Sequence, residues 1–169
     1  ISLTLSEIGI RYQSSHWQFS GTVFDTNFDP LAFTVYRGAE NTQQAVLINT
    51  QTQGLEFEYN YQFNQTWQYS AIGVWQDAGF YGIPGRLPQS KYNGNQITRT
   101  PKLQLRLSPE YNVGPLTLAI TWSYVGKRYS DIANQFALPA YQTWDIFAQY
   151  MLTEQLSAQF EVKNVTNTL

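Results

Sequence analysis

The sequence predicts an all-β protein, an antiparallel up-and-down meander of about eight strands. Three observations carry this. Apolar and polar residues alternate with period two over long stretches, no segment has a helical period, and turn-forming residues interrupt the chain at intervals. In "LTLAITWSYVGKRY" (116–129), Leu116, Leu118, Ile120, Trp122 and Tyr124 hold one parity, and Thr117, Ala119, Thr121 and Ser123 hold the other. Successive side chains of an extended chain point to opposite faces, so this is a strand with one apolar and one polar face.

The same pattern recurs along the chain. The expected strands are 3–13, 17–35, 44–63, 67–78, 100–111, 116–127, 140–151 and 156–165. In "WQFSGTVFDTNF" the alternation slips between Val23 and Phe24, as a β-bulge there would produce. In "GLEFEYNYQF", Leu55, Phe57, Tyr59, Tyr61 and Phe63 oppose Glu56, Glu58, Asn60 and Gln62. In "KLQLRLSPEY", Leu103, Leu105, Leu107 and Tyr111 oppose Lys102, Gln104, Arg106 and Glu110. "WDIFAQY" alternates less strictly, because Phe147 shares the polar side with Asp145 and Gln149. In "LSAQFEVKN", Leu156, Ala158, Phe160 and Val162 oppose Ser157, Gln159, Glu161 and Lys163.

Tight turns are expected at Ser14-Ser15-His16, Asn64-Gln65-Thr66, Asn112-Val113-Gly114-Pro115 and Thr153-Glu154-Gln155, with longer loops near 36–43, 79–99 and 128–139. Short and long connections alternate, so all tight turns lie at one end of the sheet. That is the pattern of an outer-membrane barrel.

Composition bears on what the apolar face touches. Charged residues are 13% of the 169, about half the share usual in a soluble domain, while aromatics reach 16%. The net charge of -2 does not suit a nucleic-acid partner, and no cysteine is present for a thiol metal site or a disulfide. The mean hydropathy of -0.35 is uninformative, because alternation hides the apolar residues from a window average. Aromatics flank the tight turns at Tyr12, Trp17, Tyr61, Phe63, Trp67, Tyr69, Tyr111 and Tyr150, and the loop ends at Tyr124, Tyr141 and Trp144. Two such girdles suit the two interfaces of a bilayer. The apolar face is therefore expected to touch outer-membrane lipid. A small closed eight-stranded barrel and a soluble sugar-binding β-sandwich are the alternatives.

Strand parity puts both ends of the chain on the long-loop side, whereas barrels of this kind normally end on the short-turn side. The expected object is thus an open, curved fragment of a larger transmembrane β-barrel occupying 1–169. In order along the chain, "EIGIRYQSSHWQFSGTVFDTNF" (7–28), "TQGLEFEYNY" (52–61), "YVGKRYSDIANQFALPAYQTWDIFAQY" (124–150) and "LSAQFEVKNVTNT" (156–168) resemble strands of TonB-dependent outer-membrane receptors of the siderophore type. The resemblance implies a 22-stranded barrel whose final strands are missing here, the bacterial outer membrane, and a ferric siderophore or similar small ligand. It also implies contact with the TonB complex only through a plug region that this sequence does not contain.

No catalytic residue, metal ligand set or cofactor is expected. His16 is the sole histidine and sits in a turn beside Ser14 and Ser15, with no orienting carboxylate near in sequence. Ligand binding is expected in the long loops. The richest is "AGFYGIPGRLPQSKYNGNQITRT" (78–100), with Phe80, Tyr81 and Tyr92 for stacking and Arg86, Lys91 and Arg99 for an anionic chelate. Lys127 and Arg128 add charge at the next loop, and Arg37 is expected in the first. A bland role for the same cations is to face lipopolysaccharide phosphates. Lumenal charges such as Glu56, Arg106 and Lys163 are expected to pair with one another or with the plug.

Overall fold

The computed structural model describes residues 2–37, 42–83 and 88–168. The strands in chain order are β1 (Ser2–Gln13), β2 (Trp17–Arg37), β3 (Thr42–Gln62), β4 (Trp67–Tyr81), β5 (Leu103–Val113), β6 (Leu116–Val125), β7 (Arg128–Tyr129), β8 (Ala137–Leu138), β9 (Tyr141–Met151) and β10 (Ser157–Val162). Eight of them form one antiparallel meander, in the order β1-β2-β3-β4-β5-β6-β9-β10. The short β7 and β8 make a small separate hairpin. A 3-10 turn covers Pro88–Tyr92. Among the described residues β1 pairs only with β2, and β10 only with β9. The sheet is open, so the small closed barrel is not what forms. Leu118 and Ile120 are 39% and 45% exposed rather than packed under a second sheet, which also disposes of the sandwich.

Each tight turn has its own chemistry. Ser14 Oγ accepts from the backbone N–H of Trp17 at 3.2 Å, and Asn64 Oδ1 accepts from the N–H groups of Thr66 and Trp67 at 2.8 Å. Thr153 Oγ1 accepts from the N–H of Gln155 and Leu156 at 3.2 and 3.1 Å. Gly114 takes the left-handed φ of 54° that its turn requires. Short polar side chains here satisfy the backbone groups that the reversal frees.

Directly paired residues share a face, so the register assigns every side chain. Ile10, Gly21, Phe57, Gly73, Leu105 and Tyr124 form one continuous row, and Arg11, Ser20, Glu58, Ile72, Arg106 and Ser123 form the next. Tyr59, Leu105, Leu118 and Phe160 therefore lie on the apolar face, and Glu58, Arg106, Thr117 and Glu161 on the polar one, as the alternation predicts. On β4 the apolar face runs from Trp67 to Trp75, about 26 Å along the strand and about 20 Å in height after a tilt near 40°. That is of the order of the outward apolar band of a membrane barrel. Paired rings border it, with Tyr12–Trp17 at 4.3 Å, Trp67–Tyr111 at 4.7 Å and Trp122–Trp144 at 6.4 Å.

Several expectations need correction. The phase slip at Val23/Phe24 is not a bulge, because the β2–β3 register is unbroken from Trp17 to Phe28. Phe24 simply faces inward, with its ring over Gly54, where a Cβ would come within 2.7 Å of it. The register shifts instead between Phe28 and Leu31. Pro30 lies in that interruption, where its missing N–H costs no ladder bond. The extra residue keeps Phe28 and Phe33 on the same inner face although their spacing is odd. Strands β2 and β3 extend into both ends of the expected 36–43 loop, so Arg37 ends a strand and the connection 38–41 lies outside the described residues. Tyr141 pairs with Val125 on the polar face and does not belong to the girdle.

A charge on the apolar face of a lipid-embedded barrel costs about 2–4 kcal/mol near midplane. Ile120→Arg, at the middle of the outer face of β6, should therefore lower the unfolding free energy of the full-length barrel in phospholipid vesicles by about that much. Ala119→Arg, one residue away and directly paired with Glu110, should cost under about 1 kcal/mol. Equal costs would refute the lipid assignment. Gly54→Ala should separately destabilise the barrel by about 1–3 kcal/mol, since the new Cβ would also meet the Trp75 carbonyl oxygen at 2.5 Å.

Candidate functional site

The polarity of the two faces inverts towards the long-loop end. On β2 the outer face passes from Val23 to Asp25 and Asn27, on β3 from Leu55 to Gln53 and Gln51, and on β4 from Trp75 to Asp77. The inner face at this level carries Phe28, Ile48, Ala78 and Phe80. All the buried hydrophobic residues among those described lie here or in the loops above: Ile48, Ala78, Phe80, Ile83, Tyr92 and Ile132. Phe33 meets Phe80 edge-on at 4.9 Å. Ile97 and Ala133 pack against the same cluster. The mouth therefore has a small protein-like core, which the wall below lacks.

Two loops build this core and hold each other. Beyond the start of β5, residues 94–97 take over as the neighbour of β4: the Phe80 N–H donates to the Asn95 carbonyl at 3.0 Å, and the Ile97 N–H donates to the Ala78 carbonyl at 2.9 Å. The β7–β8 loop then joins from the other side. Asn95 Nδ2 donates to the Ile132 carbonyl at 2.9 Å, and the Arg99 N–H donates to the Tyr129 carbonyl at 2.7 Å. Asn134 bonds Gln96 twice, accepting from its N–H at 2.7 Å and donating to its carbonyl at 2.9 Å. The Asp131 carboxylate shapes the β7–β8 loop by accepting from the N–H groups of Ala133, Gln135 and Phe136.

The residues expected to bind ligand are placed as follows. Phe80 and Tyr92, expected to stack on a ligand, are 1% and 8% exposed and spend their rings on the mouth core. Tyr81 ends β4 opposite Asn49 and is half-buried on the outer face. Arg86 lies outside the described residues. Lys91 is exposed, with its Nζ 5.1 Å from the centre of the Tyr92 ring. Lys127 Nζ lies 5.0 Å over Tyr129, and the Arg128 guanidinium lies 5.1 Å over Tyr141. Arg99 is exposed and takes φ 59°. The backbone bond between Arg99 and Tyr129 sets the segment of Arg99 beside that of Lys127 and Arg128, so the three cations belong to one cationic patch of neighbouring loop segments, with Lys127 over Tyr129 and Arg128 over Tyr141.

No carboxylate neutralises that patch among the described residues, where the ion pairs are Lys102–Asp77 at 2.6 Å and Lys163–Glu161 at 3.4 Å. The rings beneath Lys127 and Arg128 hold their charges in place without cancelling them. Sequence reasoning missed Tyr129, Asp131 and Asn134, and read Tyr141 as part of the girdle. Only Asp131 and Asn134 left a local trace, as turn-forming residues in "SDIANQF".

Lower on the inner face, Glu56, Glu58 and Arg106 border a shallow recess of about 600 Å³ over Ile72 and Val74. Glu56 and Arg106 form no ion pair with each other among the described residues, contrary to one of the two expectations for them, while Lys163 does pair, with Glu161. At the tight-turn end Ser15 Oγ lies 2.8 Å from His16 Nδ1. Both residues are exposed, and no carboxylate hydrogen-bonds the imidazole among the described residues. A nucleophile and base without an orienting third group do not make a catalytic constellation.

Known proteins of the same shape fit this arrangement. The structure matches the siderophore receptor PiuA from Acinetobacter baumannii with a TM-score of 0.76 and 25% identity, covering 97% of this chain and 24% of that one. It matches the ferric yersiniabactin uptake receptor FyuA from Yersinia pestis with a TM-score of 0.79 and 21% identity, covering 97% and 24%. In sequence, the chain is 26% identical over 170 residues to the probable TonB-dependent siderophore receptor PiuA of A. baumannii, covering 95% of this chain and 22% of that protein. The chain thus spans about a quarter of the length of the relatives it matches. Residues 6–165 match the family described as "TonB dependent receptor-like, beta-barrel". With a two-faced open meander, an aromatic-bordered apolar band and a match over nearly its whole length, this chain belongs to the TonB-dependent receptor β-barrel family.

Proposed function

We propose that this sheet is part of the wall of a bacterial outer-membrane receptor that takes up a ferric siderophore, and that its loop cluster forms part of the ligand-attracting mouth. The observation that carries the reading is the patch of Arg99, Lys127 and Arg128, fixed above the wall with no carboxylate partner among the described residues. Iron(III) is held by hard oxygen donors, and chelates built from catecholate or carboxylate oxygens carry net negative charge. Cations gathered at the mouth of a low-dielectric cavity raise the local concentration of such an anion. Membership of the TonB-dependent receptor family supports coupled uptake, and the likeness to PiuA, a siderophore receptor, supports a siderophore as cargo.

On this reading the contact with TonB belongs to a plug region, and no residue of 1–169 is assigned to it. The outer membrane is the medium that the apolar band requires. Lys91 extends the positive field, and Tyr81 is placed on the outer side, away from the mouth core.

The test is a titration of the purified full-length receptor with tris(catecholato)ferrate(III), a chelate of charge 3−. Wild-type receptor should bind it more weakly as salt rises, because exposed charges are screened. The Lys127→Gln/Arg128→Gln double variant should bind about tenfold more weakly, each charge contributing up to about 1 kcal/mol. An unchanged affinity together with poorer retention in lipopolysaccharide-containing membranes would instead assign these cations to lipid phosphates.

A further inference from the structure

We infer that Asn134 is the positioning residue of the cationic patch: by clamping the backbone of Gln96 it fixes the Arg99 segment beside the segment that carries Lys127 and Arg128 before any ligand arrives. The inference rests on the proposed function for the charge of the ligand. Its structural half rests on the loop geometry alone.

Asn134 joins two segments that are 38 residues apart in sequence. Its Oδ1 accepts from the Gln96 N–H at 2.7 Å while its Nδ2 donates to the Gln96 carbonyl at 2.9 Å and to the Asp131 carbonyl at 3.2 Å. The side-chain amide thus satisfies both backbone groups of one residue, as a neighbouring strand would. Asn134 does so from φ 55°, in the left-handed region. Asparagine meets both demands at once, because it tolerates that conformation and carries a donor and an acceptor. Glycine would keep the backbone and lose both bonds. Alanine would lose the bonds and strain the backbone.

The clamp reaches the cations through a short path. Gln96 is three residues before Arg99, whose own N–H donates to Tyr129 at 2.7 Å. Tyr129 carries the ring under Lys127 and follows Arg128 directly. Arg128 is steadied by the Tyr141 ring and by a 3.4 Å bond from its guanidinium to the Pro139 carbonyl. With these elements tied, an anion meets loop segments whose backbone is already set. Without the clamp, ligand binding would have to order the 94–99 segment at its own expense.

The full-length receptor tests this with Asn134→Ala and Asn134→Gly, which leave every cation in place. Two readouts are needed. The first is amide hydrogen exchange at Gln96 and Arg99. The second is the affinity for tris(catecholato)ferrate(III) as a function of salt. The inference expects both amides to exchange at least tenfold faster in both variants, with the thermal unfolding of the barrel unchanged. It also expects about tenfold weaker binding and a shallower salt dependence, because fewer cations engage one anion at once. A merely structural role would reduce the fraction of active receptor without altering the salt slope. Unchanged protection of Gln96, or faster exchange with wild-type affinity and slope, would overturn the inference. If wild-type receptor does not bind the chelate, the proposed function fails. The positioning claim then stands or falls on whether Arg99 loses protection together with Gln96.

Discussion

Backbone pairing between neighbouring strands is the interaction on which the rest of this structure depends. The ladders run across β1 to β6, β9 and β10, and the register shift of the β2–β3 pairing lies between Phe28 and Leu31. Such a wall is held by its hydrogen bonds, because it is one sheet thick and has no layer behind it. Its accessible surface is 11559 Å², against about 8,500 Å² for a compact monomer of this mass. Much of the surplus is apolar and lies on one face. Ile8 and Phe160 are 76% and 62% exposed, and no described part of the chain covers them. Hydrocarbon answers both needs, because it accepts the apolar face and makes any unpaired backbone group cost several kcal/mol.

The same constraint explains how the faces invert. Below Val23, Leu55 and Trp75 the outer face is apolar. Above them it carries Asp25, Gln53 and Asp77, and the inner face turns apolar at Phe28, Ile48 and Phe80. A paired strand cannot turn its side chains over without a bulge, but its sequence can change which parity is apolar. An apolar outer face and a polar inner face give way, along one continuous ladder, to a polar outer face and packed loops inside.

This inversion marks the limit of what the sequence reveals. The meander, the alternation of short and long connections and the girdle at Trp17, Trp67 and Tyr111 were legible, because period two and turn chemistry are local signals. Phe24 reads in sequence as a slipped phase, since alternation reports only that the faces differ and not where their media exchange. Tyr92 reads in sequence as a ligand-stacking loop residue and Ile132 as an ordinary one, because their partners Ile48 and Phe80 lie on distant strands. The cations were legible as a loop set, but their grouping was not. The segment of Arg99 lies beside that of Lys127 and Arg128 through a backbone bond to Tyr129 that no spacing rule contains.

Two parts of one chain thus answer to different solvents. The wall's apolar face suits an apolar medium around it, while the mouth core is stabilised by removing Ile48, Phe80, Ile83, Tyr92 and Ile132 from water. The two meet on β3 and β4, whose lower residues carry the apolar outer face and whose upper residues form the floor of that core. A loop cluster built this way needs no ligand to define its shape. The segments of Arg99, Lys127 and Arg128 are carried beside it, so the placement of their backbone is set by the burial beneath it.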